Sequence, residues 1–313
     1  ILFVLHIIVN NTRWQLYPLH LVIMALVVLI VLKTIGKLAL KTFLRRSILT
    51  VLIFLIVITG LSTIVFPIYE VPSPNGEFLI GTESFIIDDG LREELYTDDS
   101  TDYRKIKIQI WYPAETVEGY DQVPWLEDGI EISRALAKDM GLPYFVLDQT
   151  IDIMSNSYLG APISTEHNDY PIIVISHGWR GFRNLHTDYA EELASLGYIV
   201  IGIDHTYGSV ATVFDDNDIA YLNLDALPER ETTTDFINYA NQLVNTYASD
   251  VTSTLNYLEE INNLTSSRFH NKLDITKIGL LGHSTGGGGD VAVAINDDRI
   301  DAVGACVGMK GSL

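Results

Sequence analysis

The pattern of apolar and polar positions divides the chain near residue 70. Ile1–Val9 is apolar except for His6 and reads as part of a helix. Leu16–Leu32 holds 17 residues in which only Pro18 and His20 interrupt an apolar run, and Ile48–Tyr69 is 22 residues without a charge. A helix rises about 1.5 Å per residue, so roughly 20 apolar residues cross the hydrocarbon core of a bilayer. The third run meets that length, and the second does when extended to Ile35. Neither shows the polar face that a core helix of this length would carry. The number and length of the segments argue against a signal peptide. The pattern thus predicts a membrane anchor over 1–70, with a partial helix at 1–9 and helices at about 16–35 and 48–69. Val71-Pro-Ser-Pro-Asn-Gly76 is a stiff, helix-breaking linker.

From residue 77 the pattern changes to strands alternating with helices. Phe78–Ile87 and Lys105–Tyr112 read as early strands, the latter with Ile106, Ile108 and Ile110 alternating with polar residues. Residues 113–170 are irregular and rich in acids, and suggest no order of elements. Pro171–Ser176, Tyr198–Ile203, Lys277–Leu281 and Ile300–Val307 are apolar strands. Between them lie predicted helices over Asn184–Leu196, Ala248–Ile261 and Gly286–Ile295, and a polar excursion over Thr206–Thr246. Continuous apolar strands separated by helices predict a mostly parallel sheet covered on both faces, an α/β fold.

Charge sharpens this division. The first 70 residues carry six basic groups and one acid, Glu70; subtracting them from totals of 20 and 40 leaves 14 basic and 39 acidic residues, a formal charge of −25. An acidic globular part repels a phosphate backbone, which excludes nucleic acid as a partner. Lys33–Arg46 holds five basic residues and Asn10–Tyr17 only Arg13, so the positive-inside rule puts 33–47 in the cytoplasm and the acidic domain on the outer side. The single cysteine, Cys306, excludes an internal disulfide. The chain starts inside an apolar run and stops at Leu313 in mid-domain, so a longer protein is expected, with the domain over 77–313 incomplete at its C-terminus.

Gly282-His283-Ser284-Thr285-Gly286 follows an apolar strand and opens a glycine-rich helix. That is the context of a G-x-S-x-G nucleophile elbow, whose turn is too tight for side chains at the flanking positions. Ser284 is the candidate nucleophile. The amide of Thr285, at a helix N-terminus, is a candidate oxyanion donor. His177-Gly178-Trp179 follows an earlier strand, where the second such amide arises in this kind of fold, and Trp179 is the residue expected to supply it.

Residues 75–307 resemble the platelet-activating factor acetylhydrolase family of α/β-hydrolases and its bacterial relatives. The matching pieces are Asn75–Gly81, Gln109-Ile-Trp-Tyr-Pro113, Ile175-Ser-His-Gly178, Asp188–Gly197, Tyr198–His205 and Gly282-His-Ser-Thr-Gly-Gly287. The run Gly286–Gly289 is also similar to cutinase and polyester-hydrolase relatives. The resemblance implies an α/β-hydrolase fold and hydrolysis of carboxylic esters, with short-acyl phospholipids as the family's substrate. It carries over Ser284 as nucleophile and Trp179 and Thr285 as oxyanion-hole positions. The family's acid would fall near Val307, where this chain reads Cys306-Val307-Gly308, and no histidine follows His283. The acid and histidine are therefore expected beyond Leu313, which would leave this fragment impaired.

His205 ends a strand beside Asp204 and is expected to shape the pocket floor or to cap Asp204. His283 should point away from the nucleophile and pack. Asp290, Asp297 and Asp298 are expected to be solvated, and Asp301 lies at the wrong edge of the sheet. Phe214-Asp-Asp-Asn-Asp218 offers oxygen ligands suited to calcium, but acid-rich loops supply such runs freely. No metal or cofactor is expected. The combined expectation is a membrane-anchored serine esterase whose partners are the lipid bilayer and a small ester or lipid, with residues 206–246 over its site. The same residues would serve an acyltransferase or an inactive membrane-tethered binding module.

Overall fold

A computed structural model describes residues 13–37, 41–215 and 217–306; the expected partial helix at 1–9 and the tail after Cys306 lie outside them. Two apolar helices come first, α1 (Tyr17–Thr34) and α2 (Thr42–Val65). Both are long and apolar enough to cross a membrane, and only 17% and 11% of their apolar windows are buried, unlike core helices. Helix α2 starts six residues before the expected Ile48, with Arg45 and Arg46 exposed in its first turns. It stops at Val65 rather than Tyr69 because Pro67 forces Phe66 out of helical geometry.

The hairpin's ends are tied to the rest of the chain. Trp14 Nε1 donates to Val146 O at 3.1 Å, and its ring packs against Phe66 and Phe145 at centroid distances of 5.7 and 5.5 Å. Gln15 Nε2 donates to Phe66 O at 3.0 Å, closing the hairpin base.

The remaining chain forms an eight-stranded sheet. Its strands are β1 (Leu79–Glu93), β2 (Tyr103–Ala114), β3 (Gln122–Pro124), β4 (Met154–Leu159), β5 (Tyr170–Ser176), β6 (Ile199–Asp204), β9 (Leu273–His283) and β10 (Ile300–Cys306). They lie in the order β10-β9-β5-β6-β2-β1-β4-β3. The run β10-β9-β5-β6 is parallel, β2 is antiparallel to β6 and β1, and β1 is parallel to β4. Helix α3 is Gly129–Asp139, α4 Thr187–Ser195, α5 Phe236–Asn263 and α6 Thr285–Asn296. The mostly parallel sheet with helical cover is that of an α/β-hydrolase.

Periodicity explains the layering. Ile106, Ile108 and Ile110 of β2 point to one face and join Ile172, Val174, Ile201, Val251, Leu255 and Leu258 in the main core, under α5. Trp111 points to the other face and packs with Ile175, Val200, Ala190 and Ala194 under α4.

Three regions differ from expectation. Residues 113–170, which suggested no order, contain β3, α3 and β4. The polar excursion contains a hairpin, β7 (Ala211–Asp215) with β8 (Asp218–Tyr221), and then the start of α5. Helix α5 begins at Phe236, twelve residues before the expected Ala248. Its first turns are rich in Asn and Gln, which hid an apolar stripe of Leu243, Tyr247 and Val251.

Candidate active site

The C-terminal ends of β5, β6 and β9 bring together most of the residues singled out by motif. Ser284 links β9 directly to α6 with φ 52° and ψ −118°, a conformation that non-glycine residues rarely adopt. Holding it costs on the order of 1–3 kcal/mol, and such strain tends to be kept at functional sites. The neighbours explain the glycines. A Cβ on Gly282 would lie 2.5 Å from Gly287 N, and one on Gly286 would lie 2.6 Å from His177 O. The Ser284 side chain is half-buried, and its hydroxyl makes no hydrogen bond among the described residues.

The loop after β5 runs beside this turn. A Cβ on Gly178 would meet Ser284 Cβ at 3.1 Å and His283 Nδ1 at 2.9 Å, so only glycine lets the loop pass so close. Trp179 is half-buried and packs against the cluster of Ala226, Leu243 and Tyr247, on which Leu227 also packs. Residues 226–227 of the former excursion therefore cover this side of the loop. The Trp179 amide donates no hydrogen bond among the described residues. Thr285 is the first residue of α6, where the N–H has no intrahelical acceptor. Two free amides thus border Ser284, one on each side of the turn.

Behind the loop lies a buried polar network that the sequence did not signal. His205 is wholly buried and its Nδ1 lies 3.0 Å from Asp250 Oδ2 on α5. Its ring stacks on Tyr247 with centroids 3.7 Å apart. Asp250 also receives Arg104 Nε at 2.9 Å and Nη2 at 2.7 Å, while Arg104 Nη1 reaches Glu94 at 2.9 Å. Burial works against the Asp250 carboxylate, but the Arg104 guanidinium outweighs it and holds the group far below the usual carboxylate range. Burial lowers both His205 and His177, so both rings are neutral at pH 7. His205 therefore does not cap Asp204 as expected. Asp204 instead accepts from the Arg183 amide at 2.7 Å and pairs with the Arg183 guanidinium, which also binds Glu127 and Asp128 at 2.7 Å. These partners come from loops far apart in the chain, and no local motif announces them.

Other expectations are corrected. Asp290 is fully buried rather than solvated: Oδ1 accepts from Ser176 Oγ at 2.8 Å, while Oδ2 has no partner among the described residues. Burial raises its carboxyl to about 7, with the Ser176 hydroxyl pulling the other way. His283 is exposed rather than packed, with the His186 ring 6.3 Å away. Asp301 accepts from the Ile278 amide at 3.0 Å, bridging β10 and β9 far from the elbow. In the acidic hairpin turn, Asp215 accepts the amides of Asn217 and Asp218, and Asp218 pairs with Lys105 at 2.6 Å. A groove of about 690 Å³ between Leu91–Leu95 and α5 shares no residue with the elbow or with 177–179.

Residues 63–303 match the family described as platelet-activating factor acetylhydrolase, isoform II. Platelet-activating factor acetylhydrolase of Canis lupus familiaris is 26% identical over 251 residues, covering 74% of this chain and 53% of that protein. The protein of the same name from Gallus gallus is 24% identical over 252 residues, covering 70% and 55%. The chain therefore spans about half the length of these relatives. Among solved structures, a ferulic acid esterase from Streptomyces cinnamoneus superposes with a TM-score of 0.60 at 25% identity, covering 75% of this chain and 61% of that one.

Proposed function

The chain belongs to the platelet-activating factor acetylhydrolase, isoform II, family, and on that premise we propose that it is a membrane-anchored serine hydrolase of carboxylic esters. The observation that carries the reading is the strained turn at Ser284, with φ 52°, bordered by the amides of Trp179 and Thr285, which have no partner among the described residues. Ser284 Oγ attacks the acyl carbonyl carbon, and the carbonyl oxygen becomes an oxyanion held by the two amides. The general base takes the Ser284 hydroxyl proton during this attack and returns it to the departing oxygen, so collapse of the intermediate expels the alcohol and leaves an acyl-Ser284 ester. Water then adds to that ester and releases the acid. His205 is engaged with Asp250 and wholly buried, so it does not serve Ser284. We assign the general base and its acid to the protein beyond Leu313. No cofactor takes part.

The substrate class is a lipid or short-acyl, phospholipid-like ester. The names of the relatives support it, as does the hairpin α1–α2. Two helices of membrane length end at Trp14 and Phe66, which pack against one another, and Trp14 packs on Phe145 of the hydrolase domain. From Tyr69, just past α2, ring contacts run through Trp125 to Phe182 in the loop after Trp179, at 5.7 and 6.0 Å. An amphiphilic ester at the membrane surface would thus lie close to Ser284. The basic loop between α1 and α2 favours a cytoplasmic loop and an extracytoplasmic hydrolase domain.

A fluorophosphonate probe applied to the full-length protein in membranes tests the reading. Wild type should label and Ser284→Ala should not. A well-folded wild type that fails to label would rule out an activated serine and leave a membrane-tethered binding module.

A further inference from the structure

We infer that His177 is a positioning residue, whose ring turns the Gly178–Trp179 peptide so that the Trp179 N–H faces Ser284. The inference rests on the reading of Ser284 as nucleophile and goes beyond it by naming what aims the oxyanion donor.

The ring's proton is located by its neighbours. His177 Nδ1 lies 2.7 Å from Gly178 O, and a carbonyl oxygen only accepts, so Nδ1 carries the hydrogen. Nε2 is then a lone pair that accepts from the His205 amide at 3.3 Å; Ser209 Oγ lies 2.9 Å from it and shares its one hydrogen between Nε2 and His205 O, 3.1 Å away. The ring is wholly enclosed, with 1% of its residue surface exposed. His205 cannot drift away, because its own ring is stacked on Tyr247 and tied to Asp250, which is clamped by Arg104.

The consequence falls on the next peptide. Gly178 O is held on one side by His177 Nδ1 and by the Gly181 amide at 2.9 Å. Gly181 is pressed against the ring so closely that a Cβ there would lie 2.8 Å from His177 Nδ1. In a planar trans peptide the C=O and the following N–H point in opposite directions. With the Gly178 carbonyl committed inward, the Trp179 N–H must point outward, and it is free of any partner among the described residues. The Gly178 Cβ position, 3.1 Å from Ser284 Cβ, puts this peptide beside the nucleophile. Without the Nδ1–H bond, the Gly181 amide is the one remaining donor to Gly178 O among the described residues.

Losing one oxyanion donor typically costs about 10²- to 10³-fold in kcat. The test uses the full-length protein in membranes, with p-nitrophenyl acetate and its thiono analogue, whose sulfur accepts hydrogen bonds poorly. In His177→Leu, kcat on the oxygen ester should fall by about 100-fold with KM little changed, and the loss on the thionoester should be markedly smaller. His177→Asn can present an N–H near the Nδ1 position, and should recover kcat to within about tenfold of wild type. A folded leucine variant with near-normal kcat, or with equal losses on both esters, overturns the inference. Should the leucine variant fail to fold, the ring tautomer of wild type decides, read from ¹⁵N shifts of histidine-labelled protein. A proton on Nδ1 sustains the inference; a proton on Nε2 or a charged ring overturns it. A wild type that neither labels with fluorophosphonate nor hydrolyses either ester removes the serine-hydrolase reading and this one together. Normal labelling with no effect at His177 removes only this one.

Discussion

Asp290 lies in the second turn of α6, directly behind the strained Ser284, and its carboxyl has one hydrogen bond where an ionised group would need several. Among the described residues its one polar partner is Ser176 Oγ, and burial raises its titration to about 7. An unfolded aspartate titrates near 3.9, so the shift is about three units, and at about 1.4 kcal/mol per unit it corresponds to roughly 4 kcal/mol. The sign follows from which state holds the proton. Below about pH 4 both states are protonated and the group is neutral to stability. Between about 4 and 7 the unfolded chain releases its proton while the folded chain keeps it, so stability falls as pH rises. Above about 7 both are ionised and the loss is complete, at no more than about 4 kcal/mol because the site can relax or admit water. Asp290→Asn keeps the size and the acceptor for Ser176 and abolishes the titration. From pH 5 to 8 wild type should lose about 3 kcal/mol that the variant does not, or roughly 6–12 °C in thermal midpoint for a domain of this size. Differential scanning fluorimetry of both proteins in detergent micelles reads the difference. Parallel midpoint-against-pH curves for the two would refute the argument, and would mean that the carboxyl is already hydrated or paired.

Two further perturbations probe the frame around the site. Gly286→Ala adds a Cβ about 2.6 Å from His177 O; the clash should cost about 1–3 kcal/mol and abolish fluorophosphonate labelling. Normal labelling would mean that the β9–α6 turn has slack. Arg104→Met removes the cation shared by Asp250 and Glu94 and leaves Asp250 only Arg92, at 2.8 Å, as a counter-charge, with an expected loss of about 3 kcal/mol in chemical denaturation. The double variant Arg104→Met/Asp250→Leu should recover part of that loss. An additive double variant would show that the pair is not coupled.

The chain's own order of residues carried the architecture and the elbow. Apolar strands spaced by helices are sufficient for a parallel sheet, because both faces must be covered. The Gly-His-Ser-Thr-Gly turn was legible because its backbone restricts which residues fit: the strain at Ser284 and the close approach of Gly287 N to Gly282 are local consequences of that turn, whereas Gly286 is restricted by the His177 carbonyl from the loop after β5. The two long apolar helices were legible too, as length and composition are properties of the chain alone.

What escaped the sequence depended on partners distant along it. Asp290 looked like a solvated helix residue because nothing nearby in the chain reveals that Ser176, 114 residues earlier, stands over it. His205 looked paired with its neighbour Asp204, yet α5 brings Asp250 to it and a loop brings Arg183 to Asp204. The first turns of α5 looked like loop because carboxamides dilute an apolar stripe that only the sheet beneath reveals. Sequence by itself determined the apolar strands, the long apolar helices and the strained turn at Ser284. Which buried charges face each other, and which carboxyl is left without a counter-charge, only the tertiary structure decided. Electrostatic partners are chosen by the packing of separate elements, and a side chain's own position in the chain does not encode them.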